Sequence, residues 1–369
     1  HRGFDTFKEI WRSPGERALR TRIRSKLRSA RERITSGTSK PEPDYGATAT
    51  NRQVKEWVNH SRDTQRPFFL FINYSEIHSP YRPPSQHRNP LLRDVVSSPD
   101  FEIPAHIQRV SEQPLDYITG RITLEPQDIE ILRALYDGGV RDLDAKIGEL
   151  LDILDKSKVL DDTLVIITAD HGDNLGEHGL LGHMLCLYDT LLHVPLIMTF
   201  PRQHHAGMRI SAQVQLVDLL PTILDLIEIT DDRTWRSIQG RSLLGCLQGA
   251  EHRHFAVAEY GRPNILEVLR HKYPDFECSG FDRELKAIRS NGYKYIWSSD
   301  GRSELFNIAD DPSESENLIA ANPAKATELR SQLMDWLDQH SPNSWPPSPV
   351  SVDIDPVTVE RLRALGYID

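Results

Sequence analysis

Apolar residues along the chain fall into two textures. Up to about residue 250, helical stretches with a three-or-four-residue step alternate with short unbroken apolar runs. Leu19, Ile23, Leu27, Ala30 and Ile34 form a narrow stripe among arginines, which predicts a basic amphipathic helix over Ser13–Ile34. Lys40–Ala49, with two prolines and a glycine, reads as a loop, and Asn51–Asn59 as a short helix with Val54, Trp57 and Val58 on one side. Pro67 then punctuates the chain, and Phe68–Ile72 reads as a buried strand. Ser79–Glu125 is rich in Pro, Ser and Asp with little period, and reads as a long excursion over the surface. Pro126 opens the clearest helix, in which Ile129, Leu132, Tyr136, Val140, Leu143, Ile147, Leu150 and Leu154 step by three or four. Leu164–Ile167 and Val194–Phe200 read as two further buried strands. Leu219–Ile227 is a helix that tolerates Pro221 in its first turn.

The texture changes near Glu251. Short β-rich runs follow, at Phe255–Tyr260, Leu285–Ser290 and Tyr293–Trp297. Asn291-Gly292 between the last two is a hairpin signal, and Ala324–Gln339 is a terminal amphipathic helix. The fold class expected is α/β, with a mixed central sheet flanked by helices and a smaller C-terminal α+β subdomain. Three domains are expected: a basic helical arm and linker over residues 1–65, the α/β domain over 66–250, and a small antiparallel sheet plus helix over 251–369.

Composition narrows the classes. The chain has 369 residues, 38% apolar and 27% charged, which suits a globular protein. No apolar run reaches the roughly 18 residues of a membrane span. Net charge is −10, made of +7 over His1–Arg33 and −17 over the rest. The acidic body excludes a general nucleic-acid binder. The basic arm reads as a solvated helix packed by its Leu19/Ile23/Leu27 stripe, with an anionic membrane or nucleic acid as the rival reading. Cys186, Cys246 and Cys278 form no CxxC and no disulfide framework. His1 in place of Met reads as a processed or a truncated chain, and a chain read as soluble leaves its compartment open.

The chemistry gathers after the second strand, in Thr168–Gly179. Asp170-His171 stands where apolar strand residues end, and ligands of open α/β sheets bind beyond the carboxyl ends of strands. A carboxylate beside an imidazole suits a divalent cation: Ca²⁺ or Mg²⁺ if oxygens dominate, Mn²⁺ or Zn²⁺ if nitrogen matters. The plain alternative is a polar turn capped by Asp. His78 follows the first strand at the same edge, where an imidazole donates to an anionic oxygen or shuttles a proton. His183 in Gly182-His183 reaches that edge too, or is a surface residue. Asp173, Glu177 and His178 share the loop and either line the site or cap and solvate it. His193, His204 and His205 have weaker claims. There is no GxGxxG, P-loop or GxSxG elbow.

An ordered series of short motifs resembles the sulfatase family of the alkaline phosphatase superfamily. It includes Lys158–Thr163, Ala169-Asp170-His171-Gly172, Gly176-Glu177-His178-Gly179, Gly182-His183, Leu187-Tyr188-Asp189 and Val194–Ile197. Upstream, Phe69–Tyr81 is similar to the family's strand followed by His-x-Pro-Tyr. Downstream, Val217–Thr222, Gly240–Leu244, Glu304–Asn307, Asp311-Pro312, Glu316–Leu318 and Arg361–Tyr367 continue the series. The resemblance implies metal ligands at Asp170 and His171, and catalytic or sulfate-binding roles at His78 and His183. His183 stands where the family has a Lys. The Asp-His form at 170–171 is also similar to phosphonate and phosphodiester hydrolases.

The implied function is a sulfuric ester hydrolase, arylsulfatase-like, acting with metal assistance on a sulfated small molecule or glycan. Ca²⁺ is the first expectation for the ion, with Mn²⁺ or Mg²⁺ as alternatives. The family's nucleophile is a Cys or Ser in Cys/Ser-x-Pro/Ala-x-Arg, converted to formylglycine, and no such motif occurs in this chain. The resemblance therefore reads the chain as a sulfatase that begins late, with little turnover alone. The alternatives are a phosphodiester or phosphonate monoester hydrolase on the same scaffold, and a non-catalytic protein that binds sulfated or phosphorylated glycans. Natural substrate and oligomeric state are not encoded legibly.

Overall fold

The computed structural model describes residues 45–96, 101–250 and 252–340. The predicted basic helix Ser13–Ile34 and the motif Arg361–Tyr367 lie outside the described residues.

Helix α1, Ala47–Glu56, runs into a π-turn over Trp57–Ser61. Val54 of the helix and Val58 of the π-turn pack on Leu154 and Val159, with Phe68, Leu70 and Ile72 closing the cluster. Phe68–Ile72 has the alternate burial of a strand, yet it pairs in no ladder among the described residues. Phe69 and Phe71 are 63% and 72% exposed.

Ser79–Glu125 departs from the surface loop expected there. It holds α2 (Ser85–Val95), α3 (Ala105–Glu112) and α4 (Leu115–Ile118), each immediately preceded by a proline: Pro84, Pro104 and Pro114. A proline just before a helix fixes one φ and gives up no helical N–H. Tyr81, Leu92, Ile107 and Val110 are core residues, packed on Ile131, Leu132 and Leu135 of α5, Pro126–Lys156. Short helices separated by prolines carry too few turns for a period to show, which is why composition misleads here.

Strand β1, Val165–Thr168, pairs antiparallel with β4, Leu196–Thr199, in the register Val165↔Thr199 to Thr168↔Leu196. Between them lie the two-residue strands β2 (Asn174–Leu175) and β3 (Leu181–Gly182), paired as Asn174↔Gly182, and the short helix α6, Asp189–Leu192. Helix α7, Leu219–Leu226, follows. Next is α8, Asp232–Arg236, capped by Asp231, whose carboxylate accepts from the Thr234 N–H at 2.8 Å.

The last part is an antiparallel sheet in the order β5 (Phe255–Tyr260), β6 (Leu285–Ser290), β7 (Tyr293–Ser298) and β8 (Glu304–Asn307). Helix α9, Ile265–Lys272, lies in the β5–β6 connection. Asn291-Gly292 makes the β6–β7 turn with φ of 50° and 77°, the left-handed pair a two-residue hairpin requires. One face (Leu285, Ala287, Ile296, Phe306) packs on Leu180, Cys186, Leu187 and Tyr188. The other (Ile288, Tyr295, Leu305) packs on Ala326, Leu329 and Leu333 of α10, Pro323–His340. No helix among the described residues is long and apolar enough to cross a membrane.

Candidate active site

Two close backbone approaches set the site. Residues 76–83 lie directly on α5: a Cβ on Gly139 would come 3.2 Å from the Glu76 carbonyl oxygen, and one on Gly138 would come 2.9 Å from Pro83. Glu76 is buried and accepts from the Ala47 N–H at 2.7 Å, which pins the segment from α1. This seats His78 beside the loop that follows β1. On that loop, Gly172 N–H donates to the Leu191 carbonyl at 2.9 Å. A Cβ on Gly172 would stand 2.1 Å from the Thr190 carbonyl oxygen, so only glycine allows this approach.

Three imidazoles converge. The His171 and His183 rings stack at 4.3 Å, inclined by 23°, and His78 meets His183 at 5.2 Å and 58°. Nδ1 of His171 lies 2.8 Å from the Gly172 carbonyl oxygen, and Nδ1 of His78 lies 2.7 Å from that of Ser79. Donation from each Nδ1–H to its carbonyl leaves Nε2 of both rings with a lone pair for a cation or a proton.

Asp173 ties the cluster together. Its Oδ1 is 3.2 Å from His183 Nδ1, and its Oδ2 accepts from the Tyr81 hydroxyl at 2.8 Å. Burial, and then the Asp173 charge, push the Tyr81 hydroxyl well above its ordinary range, so it acts as a donor and not as an acid. Ligand atoms of His171, Asp173 and His183 all lie within 4.8 Å of one another. Two imidazole nitrogens and a carboxylate oxygen form a donor set that fits a divalent cation of borderline character.

Of the four residues the sequence points to, the structure therefore brings His78, His171 and His183 together. Asp170 sits at the rim. Its side chain is 73% exposed, its Oδ2 is 3.9 Å from His171 Nε2, and its Oδ1 accepts from the His171 N–H at 3.1 Å. Asp173, which the sequence leaves between lining the site and capping the loop, joins the three histidines, and so does Tyr81, for which the sequence gives no role. The signal was present in Tyr81 of the His-x-Pro-Tyr run, but the pairing spans 92 positions and needs the fold.

Neighbouring polar residues serve the frame. The buried Asn174 side chain donates to the Gly182 carbonyl at 2.9 Å and accepts from Thr190 Oγ1 at 2.7 Å, joining the His171 loop to the backbone before His183. Glu177 accepts from the Leu175 N–H and takes Arg133 at 2.9 Å, which fixes the β2–β3 hairpin to α5. His178 stacks on Tyr188 at 3.6 Å. It lines a cavity of about 150 Å³ with Arg283 and Glu304, and burial holds its pKa below the ordinary value. His193, His204 and His205 are exposed. All three cysteines are free and buried, and burial pushes the Cys186 and Cys246 thiols up, which suits packing and not attack.

Known proteins give the same direction. A sulfatase family model matches residues 5–229, more than half of the chain, and a model of the C-terminal part of N-sulphoglucosamine sulphohydrolase matches residues 176–342. Arylsulfatase K of Homo sapiens is 29% identical over 304 residues, covering 77% of this chain and 53% of that protein. Choline-sulfatase of Rhizobium meliloti is 29% identical over 292 residues, covering 76% and 52%. The chain thus spans about half the length of the curated relatives it matches. Among solved structures, phosphonate monoester hydrolase of Agrobacterium radiobacter superposes with a TM-score of 0.63 at 23% identity, over 86% of this chain and 68% of that one. That likeness establishes the fold, a mixed α/β architecture of the alkaline phosphatase kind.

Proposed function

The chain belongs to the sulfatase family, and from that premise we propose that it carries the cation-binding and ester-facing part of a sulfuric ester hydrolase of arylsulfatase type. The family implies a divalent metal, and the donor chemistry at this edge fits one. His171 would hold it, with the exposed Asp170 carboxylate and the Asp173 carboxylate within reach of the same loop. When bound, such an ion polarises a sulfate oxygen as a Lewis acid. The imidazole donor shifts the preference from Ca²⁺, which takes oxygen ligands, toward Mn²⁺.

His78 and His183 face the ester. Each presents a ring to the shared edge, and each donates to a sulfate or leaving-group oxygen when Nε2 carries a proton. Asp173 orients His183 through Nδ1, and Tyr81 holds Asp173. The attacking oxygen, a formylglycine hydrate in the family resemblance, is not among these side chains, and the three buried cysteines are not candidates for it. The substrate class is a sulfated small molecule or glycan.

The observation that carries the reading is the convergence of His78, His171 and His183 on one carboxylate-backed edge. Calorimetric titration of the Mn²⁺-loaded chain with p-nitrophenyl sulfate tests it, with p-nitrophenyl phosphate as the comparison. Binding of the sulfate ester is expected, weakened about tenfold or more in His78→Ala and His183→Ala, the loss of one charge-assisted hydrogen bond each. Tighter binding of the phosphate ester would transfer the assignment to the phosphodiester and phosphonate hydrolases. Binding of neither ester would remove it.

A further inference from the structure

Lys294 is the largest fully buried side chain among the described residues, at 1% exposure. It stands on the β7 face that looks toward the segment after the histidine loop. Its Nζ lies 2.8 Å from Asp189 Oδ1 and 2.8 Å from Glu314 Oε1. Arg289 takes the other Asp189 oxygen at 2.7 Å, and Glu314 Oε2 accepts from the Asp189 N–H at 2.6 Å. Two cations and two carboxylates thus close a neutral, largely buried cluster. Such a cluster is costly to desolvate and sensitive to the loss of any one member, so it is weak evidence for stability and good evidence for a defined geometry.

Asp189 opens α6, and α6 supports the candidate site from below. Thr190 Oγ1 donates to Asn174, whose amide holds the Gly182 carbonyl next to His183. The Leu191 carbonyl accepts from Gly172 N–H, between His171 and Asp173. The Thr190 carbonyl fills the space that a Gly172 Cβ would need. Every one of these contacts depends on where α6 sits, and the ions of the C-terminal sheet fix its first residue.

We propose that Lys294 is a positioning residue for the histidine cluster, acting through Asp189 and the short helix that Asp189 opens. The C-terminal sheet then sets the spacing of His171, Asp173 and His183 although it contributes no side chain to them. This rests on the reading of that cluster as the cation site, and the experiment separates the two.

Two variants of the full chain are compared with the parent. Lys294→Met with Glu314→Gln removes one cation and one anion together, keeps the cluster neutral and retains an acceptor for the Asp189 N–H. Thr190→Val cuts the path at its second link and leaves the ions alone. Near-ultraviolet circular dichroism reports folding, Mn²⁺ titration reports affinity, and imidazole ¹⁵N signals report the rings. The double variant is expected to fold and to bind Mn²⁺ at least about tenfold more weakly, the usual scale for losing an outer partner of a metal ligand. Thr190→Val loses about threefold, the weight of one hydrogen bond. In both, the His171 and His183 signals move while His252, held by Asp218 elsewhere, stays fixed. A folded variant that keeps both the parent affinity and the parent ring signals overturns the proposal. If the double variant does not fold, Thr190→Val decides. If the parent binds no Mn²⁺, the cation reading falls, and the ring signals alone still judge the positioning role.

Discussion

The β5–β8 sheet and the β1–β4 pair are made of similar residues and end in opposite conditions. β6 and β7 are covered on one face by Leu180, Leu187 and Tyr188 and on the other by α10. β1 and β4 carry the same kind of aliphatic run, yet Val165, Ile166 and Ile167 are only half-buried and Ile197 is 56% exposed. Phe69 and Phe71 are exposed as well, as are Leu220 and Ile227 of the α7 segment. An unbroken apolar run is the signature of a strand meant to be covered on both faces. The C-terminal sheet finds both covers within the described residues, and the site-bearing part finds one. The lesson is that the histidine edge is organised mainly from the covered side, through α5, α6 and the buried ions, and much less from the strand pair that leads into it.

Core truncation is the strongest way to sharpen that contrast. Ile288→Ala, in the doubly covered sheet, is expected to cost about 2–5 kcal/mol in equilibrium urea unfolding. Ile197→Ala should stay within about 0.5 kcal/mol, as exposed positions do. Equal costs would mean that the strand pair is covered as well as the sheet.

Solubility gives a middle-sized effect. Exposed apolar faces and open strand edges associate. The chain should therefore bind a hydrophobic dye and scatter light as oligomers, and Phe69→Ser with Phe71→Ser should reduce both without lowering the unfolding midpoint. A parent that is monomeric and dye-silent at high concentration would mean that these apolar faces are covered as well as those of the C-terminal sheet.

The smallest effect concerns acid. Asp311, in the turn after β8, accepts from the Ser313 hydroxyl and the Glu316 N–H, and these bonds lower its pKa from 3.8 to about 2. A carboxyl held down in the folded state stabilises it above its unfolded pKa, and that contribution fades as pH falls from about 4 toward 2. Asp311→Asn should flatten the stability profile across that window and leave the neutral range nearly unchanged.

What the sequence makes legible follows from the range of the interactions. The α5 helix, the Asn291-Gly292 hairpin and α10 are local patterns with enough length to show a period, and the structure repeats them within a few residues. The three helices within Ser79–Glu125 are each too short for a period, and proline reads as loop until one notes that it stands just before each first turn. His78, His171 and His183 stand in short local motifs that can be read along the chain, and the structure places their rings beside one another. Asp173 stays ambiguous because its two partners, Tyr81 and His183, are defined by packing and not by spacing. Lys294 is less legible still: a lysine in a β-rich run reads as a solvated residue, and only burial against two carboxylates reveals otherwise.

The three rings from separate segments, His78, His171 and His183, are read as one edge, with the cation held at His171 and the other two imidazoles beside it. Sub-stoichiometric Mn²⁺ added to the chain, with the histidine ring signals followed by NMR, tests it most directly, because paramagnetic broadening falls steeply with distance from the ion. His78, His171 and His183 are expected to broaden together at the first additions, while His252 and His340 remain sharp. Early broadening of the exposed His204 and His205, with the three site rings unaffected, would contradict it.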